Sequence, residues 1–339
     1  MNRVNALCFE GGAFWGIGYM GALPELFRRI NRDNIKSYCG TSVGAVFAFA
    51  LALGLSPQQI EDVFWKFRSR FIMRLPFIAM KVPWNLVMNF GLVHNDVLRQ
   101  GVLMILREVY PLKNDITFKD LDKDLIIPFT VLNDSYYVVG SRYSTPDMSV
   151  VDAVTYSCSG NLAFTPNYLN LIAENKKITV VDGGVSNINY PVGIYSNKND
   201  PDYIINTLDN NHTQAFYAQY GGKWEDLYKV IKNQDDNQLI GLRFGNPRRW
   251  INTSINNLIT YLWVFSNVTV QSMYSGVGAE NRFSIWIDTK RTFSFDITNI
   301  ILPNRINRLK DAGKQAVITS KIFNKKKLQI KDIEIKNLY

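Results

Sequence analysis

The sequence predicts an α/β fold with a mostly parallel central sheet, because one pattern occurs twice near its start. Residues 4–9 are a short apolar run closed by Glu10-Gly11-Gly12, which reads as a buried strand ending in a glycine turn. Over residues 16–29, Ile17, Met20, Leu23, Leu26 and Phe27 recur on one face at helical spacing. Residues 35–39 are a second apolar run. Gly40 follows at once, then a helix over 43–53 that Gly54 ends. Strand–helix–strand–helix at this spacing implies crossover connections and parallel pairing.

The next helix opens at Ser56-Pro57-Gln58-Gln59, with Ser at N-cap, Pro at N1 and Gln at N3. Further strands are expected at 125–132, 136–139, 178–181, 239–244 and 283–287. Residues 196–237 are polar, Asn/Asp-rich and weakly patterned, so they are expected to be a surface insertion. Residues 1–325 then make a single domain, and 326–339 a Lys-rich tail outside its core.

With 339 residues, 47% of them hydrophobic, the chain can bury a large core, and 20% charged residues of mixed sign mark it as globular. The net charge of +9 is compatible with nucleic acid, an anionic lipid surface or simple solubility. No zinc-finger spacing or RNP-type motif accompanies it, so nucleic acid is not the expected partner. Cys8, Cys39 and Cys158 cannot form a full disulfide framework; Cys8 and Cys39, in apolar strand-like runs, read as buried, and a reducing compartment is expected. The first residues carry no signal-peptide pattern, and the most apolar stretch, 43–55, is too short to span a bilayer. The expectation is a cytoplasmic protein, at most peripheral to a membrane, with no transmembrane segment.

Three motifs carry chemistry. Gly40-Thr41-Ser42-Val43-Gly44 joins a strand to a helix, the setting of a nucleophile elbow. A plain glycine-rich turn capped by Ser42 is the alternative. Glu10-Gly11-Gly12-Ala13-Phe14-Trp15-Gly16 also turns from strand to helix. Its amides suit either an oxyanion hole or a bound phosphate, although the G-x-G-x-x-G spacing is not met. Thr179-Val180-Val181-Asp182-Gly183-Gly184 ends a strand in an acid, placed either as the base for Ser42 or as a simple Asp-Gly turn.

In order and spacing, these three motifs together resemble the patatin-like phospholipase family. Further landmarks agree: Gly91-Leu92-Val93-His94-Asn95-Asp96-Val97-Leu98, the stretch from Asp152-Ala153-Val154 through Phe164-Thr165-Pro166, Asn189-Tyr190-Pro191, and Phe293-Ser294-Phe295-Asp296. The likeness covers roughly residues 4–325. It implies a three-layer α/β/α fold, Ser42 as nucleophile, Asp182 as its base without a histidine, and amides of Gly11, Gly12 and Ala13 around the oxyanion. Gly16, Gly40, Gly44, Gly183 and Gly184 are the motif glycines. The implied substrate is a lipid ester, and neither a metal nor another cofactor is required.

Three positions depart from the family pattern. Ala13 replaces the third glycine of the loop and is unstrained only at negative φ. Trp15 stands where many members carry Arg or Lys, and Asn161 where Pro is usual. A lipid-binding relative with little turnover is therefore a second reading. A nucleotide-binding α/β protein is a third, and it leaves Asp182-Gly183-Gly184 unexplained.

His212 alone follows the acid in sequence, as a Ser–Asp–His triad would need, and it sits in polar Asp209-Asn210-Asn211-His212-Thr213. His94 precedes the acid. Lys66, Arg68, Arg70 and Arg74 alternate with Trp65, Phe67, Phe71 and Phe77, continuing to Lys81 and Trp84. That segment suits transient contact with anionic headgroups, or a core helix with snorkelling cations. The aromatic-rich run 255–273 reads as a buried helix.

Overall fold

The computed structural model describes residues 4–133, 136–160, 162–186, 191–196, 211–235, 238–244, 284–289 and 297–323. In chain order the strands are β1 (Ala6–Phe9), β2 (Ser37–Gly40), β3 (Gly91–Val93), β4 (Asp124–Val131), β5 (Tyr136–Gly140), β6 (Leu162–Phe164), β7 (Asn167–Leu171), β8 (Lys176–Asp182), β9 (Leu239–Phe244) and β10 (Ser284–Ile287). The helices are α1 (Ile17–Phe27), α2 (Val43–Ala52), α3 (Pro57–Met88), α4 (Asp96–Val109), α5 (Val150–Cys158), α6 (Val192–Ser196), α7 (Asn211–Gln219), α8 (Trp224–Asn233), α9 (Thr298–Ile301) and α10 (Pro303–Thr319).

The central sheet runs β10-β9-β1-β2-β4-β8-β7, with β5 also on β4. β10, β9, β1, β2 and β4 are mutually parallel, whereas β5 and β8 oppose β4 and β7 opposes β8. The expected α/β class with a mostly parallel sheet is what forms. Alternation along the strands builds two cores. In β1, Leu7 and Phe9 join the cluster containing α1, α2, α5 and α10 side chains, while Ala6 and Cys8 join one with Val192, Ile194, Leu227 and Ile231. Helices therefore cover both faces, giving three layers. All three cysteines are free and buried.

Several expected boundaries move. The helix expected over 16–29 begins with a 3-10 turn, Ala13–Gly16, before α1. Ser56 and Gln59 form the expected capping box at the start of α3. That helix then runs for 32 residues through Pro76 and Pro83. It is long and apolar enough to cross a membrane by length and composition, and 11% of its 18-residue apolar window is buried.

The polar segment 196–237, expected to be a surface insertion, carries buried side chains in its described part. Phe216 and Tyr217 of α7 and Leu227 and Ile231 of α8 are fully buried. A few apolar side chains at helical spacing anchor an otherwise polar run. His212 lies in the first turn of α7, not in a loop. Asn161, Asn189-Tyr190, the run 255–273, Phe293–Asp296 and the tail 326–339 lie outside the described residues.

Candidate active site

Parallel pairing of β1 with β2, in register Phe9↔Gly40, sets their two C-terminal loops side by side. The Thr41 amide donates to the Phe9 carbonyl at 3.2 Å, stitching one loop to the other. Ser42 is the residue between β2 and α2, with φ 55 and ψ −129. A side chain rarely adopts that backbone conformation, and it persists only where the surroundings impose it. Close approach imposes it here: a Cβ on Gly40 would meet the Gly44 carbonyl oxygen at 2.2 Å, and one on Gly44 the Phe9 oxygen at 2.2 Å. The Gly-x-Ser-x-Gly spacing is thus a packing requirement of the turn.

The end of α5 clamps the same turn. The Ser42 amide donates to Ser157 Oγ at 3.0 Å, and that hydroxyl donates to the Pro128 carbonyl at 2.7 Å. Cys158 Sγ donates to the Ser42 carbonyl at 3.0 Å. Ser157 and Cys158 lie in the Asp152–Pro166 stretch that resembles the family, but their contacts with the elbow were not legible in the sequence. A small polar residue at a helix end looks the same whether or not it touches a turn 115 residues away.

Asp182 arrives from the opposite direction. The sequence places it at the end of a strand, where parallel α/β sheets build sites. That strand, β8, is antiparallel to β4 in register Phe129↔Asp182, so the acid is brought to the elbow against the run of the parallel strands. Its amide donates to Ser159 O at 3.0 Å, and Thr130 Oγ1 donates to its carbonyl at 2.9 Å. The Asp182 carboxylate accepts the Gly184 amide at 2.8 Å, and the Ser42 side chain is near enough to lower its pKa. Burial pushes that pKa up to about 6, and those two groups pull it down in part. Gly183 lies against the Pro128 carbonyl.

The glycine loop is held from beneath. Glu10 is fully buried, and its carboxylate accepts the Phe244 amide at 2.6 Å and Arg243 Nε at 3.2 Å. Tyr19 donates to the Glu10 carbonyl at 2.7 Å. The Gly12 and Ala13 amides donate to no acceptor among the described residues. They stand where a 3-10 turn opens, with their donors unspent. Gly16 packs on Val43, joining this turn to the elbow.

Ala13 has φ 46, not the negative value its side chain prefers, because the chain must reverse sharply from β1 into the 3-10 turn. Trp15 is 7% exposed and packs on Phe244, so its indole faces the core and not a headgroup. His94 is exposed and contacts Asp96 at 3.0 Å. It lines a polar recess of about 380 Å³ with Arg99, Asp152, Tyr156 and Asn167, and neither Ser42 nor Asp182 lines that recess. No cluster of metal-ligating side chains occurs among the described residues.

The patatin-like phospholipase model matches residues 7–194, a span holding the glycine loop, Ser42 and Asp182. This chain belongs to the patatin-like phospholipase family. Its relatives include protein R571 of Acanthamoeba polyphaga mimivirus, uncharacterized, 27% identical over 263 residues, covering 69% of this chain and 85% of the relative. A probable lipid hydrolase, 463L, of Invertebrate iridescent virus 6 is 27% identical over 241 residues, covering 67% of this chain and 77% of that one. A cGAMP-activated phospholipase of Escherichia coli strain TW11681 is 24% identical over 247 residues, covering 66% and 63%. Among solved structures, VipD of Legionella pneumophila superposes with a TM-score of 0.50 at 13% identity, over 95% of this chain and 67% of VipD. At that identity the likeness is one of fold. The patatin fold thus accounts for the mixed, mostly parallel sheet with helices on both faces.

Proposed function

We propose that this patatin-like protein is a serine lipid acyl hydrolase in which Ser42 and Asp182 act as a dyad. The observation that carries the reading is the Ser42 side chain at a strained elbow, near enough to the buried Asp182 carboxylate to lower its pKa. Asp182 accepts the Ser42 proton as Oγ attacks the ester carbonyl, and the oxyanion takes hydrogen bonds from the Gly12 and Ala13 amides, with Gly11 shaping the same loop. Collapse breaks the ester C–O bond. The proton held by Asp182 passes to the leaving alkoxide, and the acyl group stays on Ser42. Asp182 then takes a proton from water, whose oxygen attacks the acyl carbon, and returns it to Ser42 Oγ as the fatty acid departs.

The substrate class is a lipid ester, as for the lipid hydrolase and phospholipase relatives. Residues 1–325 act as one domain in this reading, and the free, buried cysteines fit a reducing, cytoplasmic setting. The backbone strain at Ala13 favours a second reading, a lipid-binding relative with little turnover. A fluorophosphonate probe tests both. Labelling of the wild type that is lost in Ser42→Ala and strongly slowed in Asp182→Asn supports the hydrolase. A folded wild type that takes no label at Ser42 leaves the binding protein.

A further inference from the structure

The C-terminal half of α3 presents two opposite stripes. Phe71, Leu75, Ile78, Val82, Asn85 and Asn89 recur at three- and four-residue steps, are buried or half-buried, and seat the helix on the body of the protein. Met73, Phe77, Met80 and Trp84 recur at the same steps on the far side, and they are 67%, 68%, 79% and 65% exposed. Helical spacing places Arg70, Arg74 and Lys81 along one flank of that exposed stripe. No Asp or Glu occurs between Asp62 and Asp96. An exposed aromatic and methionine stripe beside an unbroken basic ridge is complementary to an anionic bilayer surface.

The topology decides how such a surface would be used. Phe71 and Asn85 are buried, and Arg68, just before the segment, donates to the Ile300 and Ile301 carbonyls. The chain returns directly into β3, whose Gly91 pairs with Leu162 of β6. Both ends of the segment are thus tied to the same side, which forbids spanning, and Arg74 and Lys81 in mid-segment oppose it as well. The helix can only lie flat. β6 follows the end of α5, where Ser157 and Cys158 hold Ser42, so the segment adjoins the candidate active site through one strand pair.

We infer that α3 from Arg70 to Met88 is an interfacial membrane arm. Met73, Phe77, Met80 and Trp84 enter the headgroup–acyl boundary of an anionic bilayer, and Arg70, Arg74 and Lys81 bind headgroup phosphates. The inference rests on the lipid hydrolase reading and adds how the enzyme reaches an aggregated substrate.

Vesicle flotation of the full chain carrying Ser42→Ala tests it, using phosphatidylcholine vesicles with and without phosphatidylserine. Binding is expected on the anionic vesicles. It should fall roughly tenfold or more in Phe77→Ser/Trp84→Ser, from the apolar area no longer buried. Arg74→Gln/Lys81→Gln should weaken the preference for phosphatidylserine roughly fivefold per cation. Thermal melting checks that each variant is folded. Absence of flotation, or flotation undiminished in the folded variants, overturns the arm. So does a concentration-dependent dimer without vesicle binding that Phe77→Ser/Trp84→Ser dissolves, which assigns the stripe to a second copy. Fluorophosphonate labelling of Ser42 in the wild type is read separately, so loss of the arm and loss of the hydrolase are distinguishable.

Discussion

The buried carboxylate of Glu10 accepts the backbone amide of Phe244 at 2.6 Å, tying the end of β1 to the end of β9. Phe244 in turn fills the space above Gly12, where an added Cβ would meet its ring at 2.7 Å. The acid therefore sets the height of the glycine loop from below, through a fully buried side chain. Arg243 shares the carboxylate and lies 4.3 Å over the Trp286 ring.

Glu10→Ala removes the acceptor of the Phe244 amide and of Arg243 Nε, and is expected to cost about 1–3 kcal/mol in chemical denaturation for each buried donor left unsatisfied. Glu10→Gln keeps an acceptor and should cost roughly 1–2 kcal/mol. Burial, opposed by Arg243 and the Phe244 amide, pushes the Glu10 pKa from 4.5 up to about 8. The folded state then holds a proton that the unfolded chain releases near 4.5, so wild-type stability should fall as pH rises from there to about 8. The Glu10→Gln protein lacks that slope. An equal slope in both proteins would refute the assignment.

Ser157 makes a second indirect contact with the site. Its hydroxyl accepts from the Ser42 amide and donates to the Pro128 carbonyl. Ser157→Ala leaves the Ser42 amide buried without that acceptor, at a cost of about 1–3 kcal/mol. Labelling by a fluorophosphonate should slow as the elbow loosens, while the pH at half-maximal rate stays that of the wild type. Ser157→Thr, which restores a hydroxyl, should recover part of the rate. No recovery would reduce Ser157 to packing.

What was legible in the sequence follows from the range of the forces involved. The elbow and the Asp-Gly-Gly turn are local: tight turns beside strands demand glycine within two residues, so their chemistry is written in adjacent letters. Glu10 and Arg243 are separated by 233 positions, and nothing in either neighbourhood marks them as partners. Strand order is equally non-local. The apolar run 178–181 predicts a strand but not that it runs against β4. The length of α3 was not legible either: it runs through Pro76 and Pro83, each of which removes a backbone hydrogen bond. In α7 the polar majority conceals Phe216 and Tyr217, which are buried.

Ala13 holds φ 46 in the glycine loop, whose amides are the proposed oxyanion donors. A glycine adopts that conformation without the steric penalty of a Cβ, so Ala13→Gly should stabilise the folded chain or leave it unchanged, with a gain of up to about 1 kcal/mol. If the strain positions the amides, labelling of Ser42 slows despite the gain in stability. If the strain is a residue of sequence drift, labelling keeps its rate. Melting temperature and labelling rate, measured on one preparation, separate the two outcomes.

In the proposed dyad Asp182 is the base and sets the pH dependence. As the base it must be ionised, and burial holds its pKa at about 6, so the labelling rate should rise with pH through about 6 and level off above it. Removing the Ser42 hydroxyl takes away a group that lowers this pKa, so in Ser42→Ala the carboxyl should titrate higher still. Stability runs the other way. The folded state keeps the proton up to about 6 while the unfolded chain loses it near 3.8, so the ionised acid costs stability that is regained only as pH falls. Asp182→Asn carries no such charge. It should lose roughly 10²–10⁴ in labelling rate and gain about 1–3 kcal/mol in stability at neutral pH. An Asp182→Asn protein that is less stable yet labels normally would show that the carboxylate is a structural anchor and that Ser42 depends on another base.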